Sequence, residues 1–339
     1  MIKLNIKESL IVIDDYEKSI QQLLPKNKKI IIVTDTNLNK IYNKSISQFP
    51  IIEIGLGEKT KTLQTVDLII NKLIELEADR HSFLLGFGGG IVCDITGFAA
   101  SIYMRGIDFG FVSTTLLSQV DASIGGKNGV NFNNYKNLVG NLNQAKFVIC
   151  DTKMLDTLPK HEIKCGLGEI IKHSLIADAK MFELISENYK NILHLDNAIL
   201  PKLILENIKI KAKIVESDET EQGERKKLNF GHTLAHAIEK HSDLSHGEAV
   251  SIGIVFASKI SLQKRYITNI EYNKIINTLK KYELPINLTI EKDKIFDAIK
   301  KDKKRNADKI SFVLLNGIAN AKVEDISINE LKQYLYDLC

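Results

Sequence analysis

The chain has 339 residues, of which 44% are hydrophobic and 26% are charged, and its formal net charge is +4. This length exceeds that of a typical single core, so two domains are expected, and the composition is ordinary for a globular protein. The small positive charge, the absence of tryptophan and the low aromatic content argue against a nucleic-acid-binding protein.

The N-terminal segment and the cysteines predict a cytoplasmic protein. The opening residues, MIKLNIKESL, lack the long apolar core of a signal peptide. No apolar run approaches the roughly 20 residues that a membrane-spanning helix needs, so no membrane association is expected. Four scattered cysteines without a C-x-x-C pair indicate reduced thiols rather than a disulfide framework.

The first half of the chain alternates predicted strands with predicted helices. Residues 63–77 repeat apolar side chains every three or four positions, as an amphipathic helix does. Strands separated by helices of this length imply a mostly parallel sheet in an α/β fold. Short apolar runs predict strands at residues 10–13, 29–33, 49–54, 83–85, 109–112 and 147–149.

Asp35 follows the second of these strands closely. Open α/β sheets bind ligands beyond the carboxyl ends of their strands, so Asp35 is a candidate for bonding a ribose hydroxyl. The alternative, and the commoner role for aspartate at such a position, is to cap the helix that follows.

A glycine cluster follows the strand at residues 83–85 and precedes a helical segment at residues 91–104. Glycines let the backbone approach a ligand closely, and a helix N-terminus offers free N–H groups, so this loop suits a pyrophosphate. Its G-x-G-G-G pattern is not the usual G-x-G-x-x-G, and a simple strand-to-helix turn is an equal alternative. Ligand binding is favoured by the polar groups that crowd the same stretch, namely Arg105, Thr114, Thr115, Asp121 and Lys127.

The pattern changes near residue 158, and the rest of the chain is mainly helix-patterned. Stripes of Ile, Leu and Ala alternate with Lys and Glu faces, which indicates packed amphipathic helices. The predicted helices are 162–187, 198–216, 232–240, 248–264, 271–281 and 292–301, and one late strand is predicted at 310–315.

Histidines and a carboxylate in this second half suggest a metal centre. His232 and His236 lie four residues apart on one helix face, His246 begins the next helix, and Glu169 lies in an otherwise apolar helix start. Two histidines and one glutamate with an open position form a catalytic zinc arrangement. The spacing does not select which two histidines bind metal, and for each a capping or hydrogen-bonded role is the alternative.

Two charged stretches suggest an anionic substrate. Residues 221–227 form a charged loop before the His232 helix, and residues 300–305 form a basic run that would otherwise be a solvated helix end. The residues therefore predict an enzyme that uses a nucleotide and a metal and acts on a phosphorylated or carboxylated compound.

Residues from about 34 to 317 resemble the 3-dehydroquinate synthases. The resemblance rests on GGGIVCDITGFAA, RGIDF, STTLLSQVDASIGGKNGVN, KNLVG, GLGEIIKHS, LNFGHTLAHAIE, HGEAV and DKK. It implies a Rossmann-like NAD-binding α/β domain at residues 1–158, an all-helical metal- and substrate-binding domain at residues 159–339, and a homodimer.

The same resemblance implies individual roles. Glu169, His232 and His246 would hold zinc or cobalt, and His236 would be a substrate or proton-relay residue. Arg105 would reach across from the partner subunit, and Asp121 would face the substrate. Contacts to NAD+ would come from Asp35, Glu58, Lys61, Gly89, Gly90, Asp94, Thr114, Thr115, Lys127, Lys136 and Thr157. The substrate's phosphate and carboxylate would meet Arg105, Lys127, Asn137, Lys172, Lys211, Arg225, Asn229 and Lys303.

The implied reaction converts 3-deoxy-D-arabino-heptulosonate 7-phosphate, a small phosphorylated keto acid, into 3-dehydroquinate and phosphate in the shikimate pathway. It combines transient oxidation by NAD+, β-elimination of phosphate, reduction and aldol closure. The alternatives are another sugar-phosphate cyclase and a metal-dependent polyol dehydrogenase of the same superfamily.

Overall fold

A computed structural model of the chain describes residues 1–133, 135–300, 305–306 and 308–338. The chain divides into two compact units, Met1–Leu158 and Pro159–Cys339. No helix within the described residues combines the length and the apolar character needed to cross a bilayer.

The first unit is built on a seven-stranded sheet with the strand order β1-β2-β9-β6-β5-β3-β4. Its strands and those of a separate hairpin are β1 (Ile2–Ile6), β2 (Ser9–Ile13), β3 (Ile30–Asp35), β4 (Ile51–Ile54), β5 (Phe83–Gly88), β6 (Asp108–Ser113), β7 (Lys127–Phe132), β8 (Tyr135–Leu142) and β9 (Phe147–Cys150). Its helices are α1 (Tyr16–Leu23), α2 (Thr36–Ile46), α3 (Leu63–Glu75) and α4 (Gly90–Ile102).

The prediction of a mostly parallel sheet is confirmed. Strands β2, β9, β6, β5, β3 and β4 pair in parallel, and β1 joins antiparallel at one edge. The central strand β5 is buried throughout, which explains its unbroken apolar sequence, since parallel strands are covered on both faces. Its Phe83 stacks on Phe147 of β9 with ring centroids 5.5 Å apart, within the core of this unit.

The antiparallel hairpin of β7 and β8 was not predicted from the sequence. Its strands, KNGVNF and YKNLVGNL, are rich in asparagine and glycine, which are rare in strands and suggest turns instead. Strand β7 packs on α4 at Gly97, where Asn128 lies so close that a side chain at position 97 would have no space.

The second unit is mainly helical, as the sequence pattern predicts, but its three-stranded sheet departs from the all-helical domain that the resemblance implies. Its helices are α5 (Lys160–Ala177), α6 (Ala179–Glu187), α7 (Tyr189–Leu193), α8 (Leu200–Ser217), α9 (His232–Glu239), α10 (His246–Gln263), α11 (Asn269–Lys281), α12 (Lys292–Lys300) and α13 (Ile328–Leu338). A small antiparallel sheet completes it, with β10 (Arg305–Asn306), β11 (Lys309–Leu315) and β12 (Ala321–Ser327).

Two predictions for this unit are corrected. The single helix predicted at residues 162–187 is wrong, because α5 ends at Ala177 and Asp178 then caps α6 by accepting the N–H of Met181. Strand β11 was predicted, whereas its partner β12 was missed. The sequence of β12, AKVEDIS, has charged side chains at three of its seven positions and leaves too few apolar residues to indicate a strand.

Helix α10 is the central element of the second unit. It packs against α5, α9, α11, α13 and β11. Its buried residues include several glycines, alanines and serines, whose small side chains let neighbouring helices approach closely. This crowding places the N-terminus of α10 beside both α5 and α9.

Candidate active site

The carboxyl ends of four adjacent strands in the first unit form one edge of the sheet. Asp35 ends β3, Gly89 follows β5, Thr114 follows β6 and Asp151 follows β9. The backbone N–H of Thr114 donates to the carbonyl oxygen of Gly88 at 3.0 Å, which ties two of these ends together. Three of the residues predicted to contact NAD+, namely Asp35, Gly89 and Thr114, therefore lie where parallel sheets bind their ligands.

Asp35 caps helix α2. Its carboxylate accepts the backbone N–H groups of Asn37 and Leu38, both at 2.9 Å. Burial raises the pKa of Asp35, and these two hydrogen bonds oppose that effect. The capping role is thus observed, and the role in ribose binding stays a prediction.

Lys61 joins two other predicted site residues. Its side chain is buried and donates hydrogen bonds to the carboxylate of Asp94 on α4 and to the side-chain oxygen of Asn137 on β8. Nearby, Glu58 accepts the side-chain amide of Asn131 on β7 at 2.8 Å. Polar contacts therefore link the residues just before α3 to helix α4 and to the β7–β8 hairpin.

The other predicted residues of the first unit lie at its surface or near it. Met104, Arg105 and Gly106 have positive φ angles of 49°, 70° and 116°, and Arg105 is exposed. Consecutive residues in this region of φ are strained, and such strain concentrates at functional sites. Gly90 begins α4, Thr115 follows Thr114, Asp121 is half-buried, and Lys127, Lys136 and Thr157 are exposed.

In the second unit the structure brings together Glu169, His232 and His246. Oε1 of Glu169 lies 3.2 Å from Nε2 of His246 and 3.5 Å from Nε2 of His232. One ligand atom from each of the three residues lies within 4.8 Å of the others. Two ligand atoms of a tetrahedral zinc ion, each about 2.1 Å from the metal, are separated by about 3.4 Å.

The hydrogen bonds of the two histidines fit a metal ion. Nδ1 of His246 donates to Oε1 of Glu239 at 3.0 Å, and Nδ1 of His232 donates to the carbonyl oxygen of Phe230 at 3.2 Å. Both acceptors can only accept, so each ring, when it is neutral, directs the lone pair of Nε2 toward Glu169. Three electron-pair donors that face one point can share a cation, which is either a metal ion or a proton.

The pKa shifts of Glu169 and His246 agree with a positive charge among these groups. Burial alone would raise the pKa of Glu169, but Lys172, His232 and His246 lower it well below its ordinary value. Burial would lower the pKa of His246, but its hydrogen bonds with Glu169 and Glu239 raise it to about 10. The group therefore holds a proton on His246 when no metal ion supplies the positive charge.

Glycines next to the three candidate ligands explain how they meet. A Cβ added to Gly168 would lie 2.9 Å from the carbonyl oxygen of Gly247, where α5 crosses α10. Gly231 has a φ of 80°, and a Cβ there would lie 2.9 Å from the backbone nitrogen of Ile254 on α10. Glu169, His232 and His246 each adjoin one of these glycines, so the close helix contacts set their positions.

Predicted substrate-binding residues surround the same helices. Lys172 forms a buried ion pair with Oε2 of Glu169 one turn earlier on α5. Lys211 on α8 is also buried, and the ring of His236 lies 5.5 Å from that of His232, centroid to centroid. Lys303 lies outside the described residues.

A loop between α8 and α9 holds Arg225 and Asn229. The carboxylate of Asp218 accepts the backbone N–H groups of Gly223 and Arg225 at 2.7 and 3.0 Å. Arg225 donates from Nη1 to the carbonyl oxygen of Glu219 at 2.6 Å, and Asn229 donates to the carboxylate of Glu221. The loop therefore has a defined geometry that the sequence did not reveal.

Sequence reasoning also missed Glu239 and the buried pair His173 and Asn207. Nδ1 of His173 lies 3.0 Å from Oδ1 of Asn207, and both side chains are fully buried. Glu239 follows His232 by seven residues, which is two helical turns, so helical spacing was a usable signal. Asn207 carried no such signal, because its contact comes from packing between α5 and α8.

The fold of this chain, an α/β unit with a glycine loop followed by a mainly helical unit, is shared by solved structures of NAD-binding enzymes. One is a 2-deoxy-scyllo-inosose synthase complexed with carbaglucose-6-phosphate, NAD+ and Co2+, which matches this chain with a TM-score of 0.89 and 24% sequence identity. The match covers 98% of this chain and 99% of that chain. A 2-epi-5-epi-valiolone synthase from Streptomyces hygroscopicus, with NAD+ and Zn2+ bound, has a TM-score of 0.88 at 24% identity and covers 96% and 95%.

Sequence comparison narrows this class to one family. The family models described as 3-dehydroquinate synthase N-terminal and C-terminal match residues 51–165 and 166–305. A 3-dehydroquinate synthase from Alkaliphilus metalliredigens is 42% identical over 319 residues, which are 91% of this chain and 89% of that protein. The chain belongs to the 3-dehydroquinate synthase family.

Proposed function

We propose that this protein converts 3-deoxy-D-arabino-heptulosonate 7-phosphate into 3-dehydroquinate and phosphate. The observation that carries the proposal is the meeting of Glu169, His232 and His246 in a chain that is 42% identical to a 3-dehydroquinate synthase along nearly its whole length. The reaction belongs to the shikimate pathway of aromatic amino acid biosynthesis.

The proposed cofactors are NAD+ and a divalent zinc or cobalt ion. NAD+ would bind at the edge of the sheet, against Gly89, Gly90 and the Lys61–Asp94 pair. The metal ion would be held by Glu169, His232 and His246. When bound, NAD+ supplies a reversible hydride acceptor, and the metal ion supplies positive charge that acidifies a substrate hydroxyl.

The chain's own residues would bind and orient the substrate. Lys172, Lys211 and Arg225 are buried cations, and a cation shielded from water attracts a carboxylate or phosphate strongly. Lys172 also keeps the carboxylate of Glu169 ionised. These groups would hold both anionic ends of the substrate while phosphate leaves.

Proton transfer is proposed for His236 and orientation for Asn229. His236 lies one helical turn after His232 on α9, so the two rings share a face of the helix. A neutral imidazole at this position could accept a proton from a substrate hydroxyl and return it later. Asn229 would release Glu221 and turn its amide to the substrate.

The protein is further proposed to act as a cytoplasmic homodimer. The first unit would bind NAD+, and the second would bind metal and substrate. Exposed Arg105, at the end of a strained turn, would serve the partner's site.

The proposal is tested by mixing the protein with NAD+, zinc and the heptulosonate phosphate. One phosphate released per substrate, without net NADH, is the expected result, because the cofactor is restored in each turnover. Accumulation of NADH would indicate a polyol dehydrogenase instead. Release of phosphate only from a different phosphorylated sugar would indicate another sugar-phosphate cyclase, and no release from any of them would overturn the proposal.

A further inference from the structure

Glu239 contacts a candidate metal ligand without being placed to bind the ion itself. Its Oε1 accepts the Nδ1–H of His246 at 3.0 Å, and its side chain is 3% exposed. The ring of His246 is more open, with a side-chain exposure of 27%. The hydrogen bond therefore joins a buried, fixed carboxylate to the more exposed of the two histidines.

Helix α9 carries both the other candidate histidine ligand and the carboxylate of Glu239. His232 is its first residue and Glu239 is its last, two turns later, so both point from the same face. His246 is the first residue of α10, where the capping box of Ser245 and Glu248 fixes the backbone but not the imidazole ring. The orientation of the ring needs a contact from outside its own helix.

We propose that Glu239 is a positioning residue, which fixes the ring and tautomer of His246 so that Nε2 faces the metal ion beside Glu169. This inference rests on the proposed metal site. A histidine ligand that donates its other N–H to a carboxylate is held in one tautomer and becomes a better electron donor.

The geometry also explains why a carboxylate stands here. On His232 the acceptor for Nδ1 is the carbonyl oxygen of Phe230. This oxygen belongs to the same backbone turn and cannot rotate away. The two ring nitrogens of His246 instead contact the side chains of Glu239 and Glu169. Glu239 thus performs for His246 the task that the backbone performs for His232.

The test compares Glu239→Ala and Glu239→Gln with the unsubstituted protein. Glutamine keeps an acceptor oxygen but removes the charge, whereas alanine removes both. Glu183→Gln is the matched control, since Glu183 lies in the same unit and forms an exposed pair with Lys274. Zinc affinity is measured by chelator competition, the visible spectrum is recorded with Co2+, and thermal unfolding of the metal-free proteins is followed.

The expected result is zinc binding that weakens by about 10- to 100-fold in Glu239→Ala and by less in Glu239→Gln. The Co2+ spectrum shifts in both, kcat at low zinc falls, and excess zinc restores it in Glu239→Gln. A structural role alone would lower the unfolding temperature of the metal-free protein without these changes. Such a result overturns the inference.

Failure of the positioning role of Glu239 can be distinguished from failure of the proposed metal site. If the unsubstituted protein binds one zinc ion and both Glu239 variants bind it equally well, with an unchanged Co2+ spectrum, the positioning role is refuted and the proposed reaction stands. If the unsubstituted protein binds no divalent metal, the metal site fails and the inference falls with it.

Discussion

Gly253 of α10 lies against the backbone of Gly231, the residue that precedes His232. A Cβ added at position 253 would come 2.7 Å from the carbonyl carbon of Gly231, closer than non-bonded atoms approach. The start of α9 and the middle of α10 therefore touch backbone to backbone. This contact positions His232 so that its Nε2 lies 3.5 Å from Oε1 of Glu169.

Gly253→Ala is expected to lower the free energy of unfolding by about 3 kcal/mol, because the added methyl group must push two helices apart. Urea denaturation of the metal-free protein measures the change. Gly223→Ala is the control, since the nearest atom to its added Cβ would be 3.9 Å away. Equal stabilities of the two variants would contradict the proposed packing constraint.

His232→Ala is expected to abolish stoichiometric metal binding, because two ligands hold a zinc ion much less tightly than three. Metal content after gel filtration is the measurement. His241→Ala serves as the control, since His241 is exposed. Full metal occupancy in His232→Ala would refute the ligand assignment.

Lys61→Met is expected to raise the KM for NAD+ by about tenfold, because the carboxylate of Asp94 would lose its buried cationic partner and turn away from its present position. Steady-state kinetics at saturating substrate give the value. Lys59→Met removes an exposed lysine from the same turn and should leave it unchanged. The role of Lys61 is disproved if both variants match the unsubstituted protein.

Glu324 should make stability depend on pH in the acidic range. Burial alone would raise the pKa of Glu324, but hydrogen bonds from Lys264, Lys322 and Tyr266 lower it to about 2. A carboxyl group whose pKa is lower in the folded state stabilises the protein above its unfolded pKa, near 4.5, and this stabilisation is lost as the pH falls toward 2.

Glu324→Gln should therefore reduce the free energy of unfolding by about 2 kcal/mol at pH 7, with a difference that shrinks between pH 4.5 and pH 2. Denaturation curves across that range test this. Glu291→Gln, which alters an exposed pair with Lys294, should show no such trend. A difference for Glu324→Gln that is constant with pH would exclude the ionic explanation.

Apolar patterning predicted most of the fold because it reflects burial. Strands β3, β5, β6 and β9 are largely apolar, since parallel strands are covered on both faces, and each was predicted within about three residues. The β7–β8 hairpin and β12 were missed, because asparagines, glycines and charged residues interrupt their apolar sequences. The helix predicted at 162–187 extended too far, because the apolar pattern continues on both sides of Asp178 although Asp178 ends α5 and caps α6.

The candidate site divides in the same way. Glu169, His232 and His246 were named together because their motifs resemble a known family, whereas spacing alone left the choice of histidines open. Their hydrogen-bond partners depend on how helices cross. Asp218 contacts the Arg225 loop through a turn that the sequence shows only as an isolated acidic residue, whereas the spacing of Glu239 from His232 was a usable signal.

The candidate metal ligands Glu169 and His246 are 77 residues apart along the chain. An ion that joins them acts as a removable cross-link, and closing a long loop restricts the unfolded chain more than closing a short one. Chelation should therefore lower the free energy of unfolding of residues 159–339. Calorimetry should then show an unfolding transition whose temperature rises with zinc concentration, and an unfolding temperature that does not depend on zinc would rule out the cross-link.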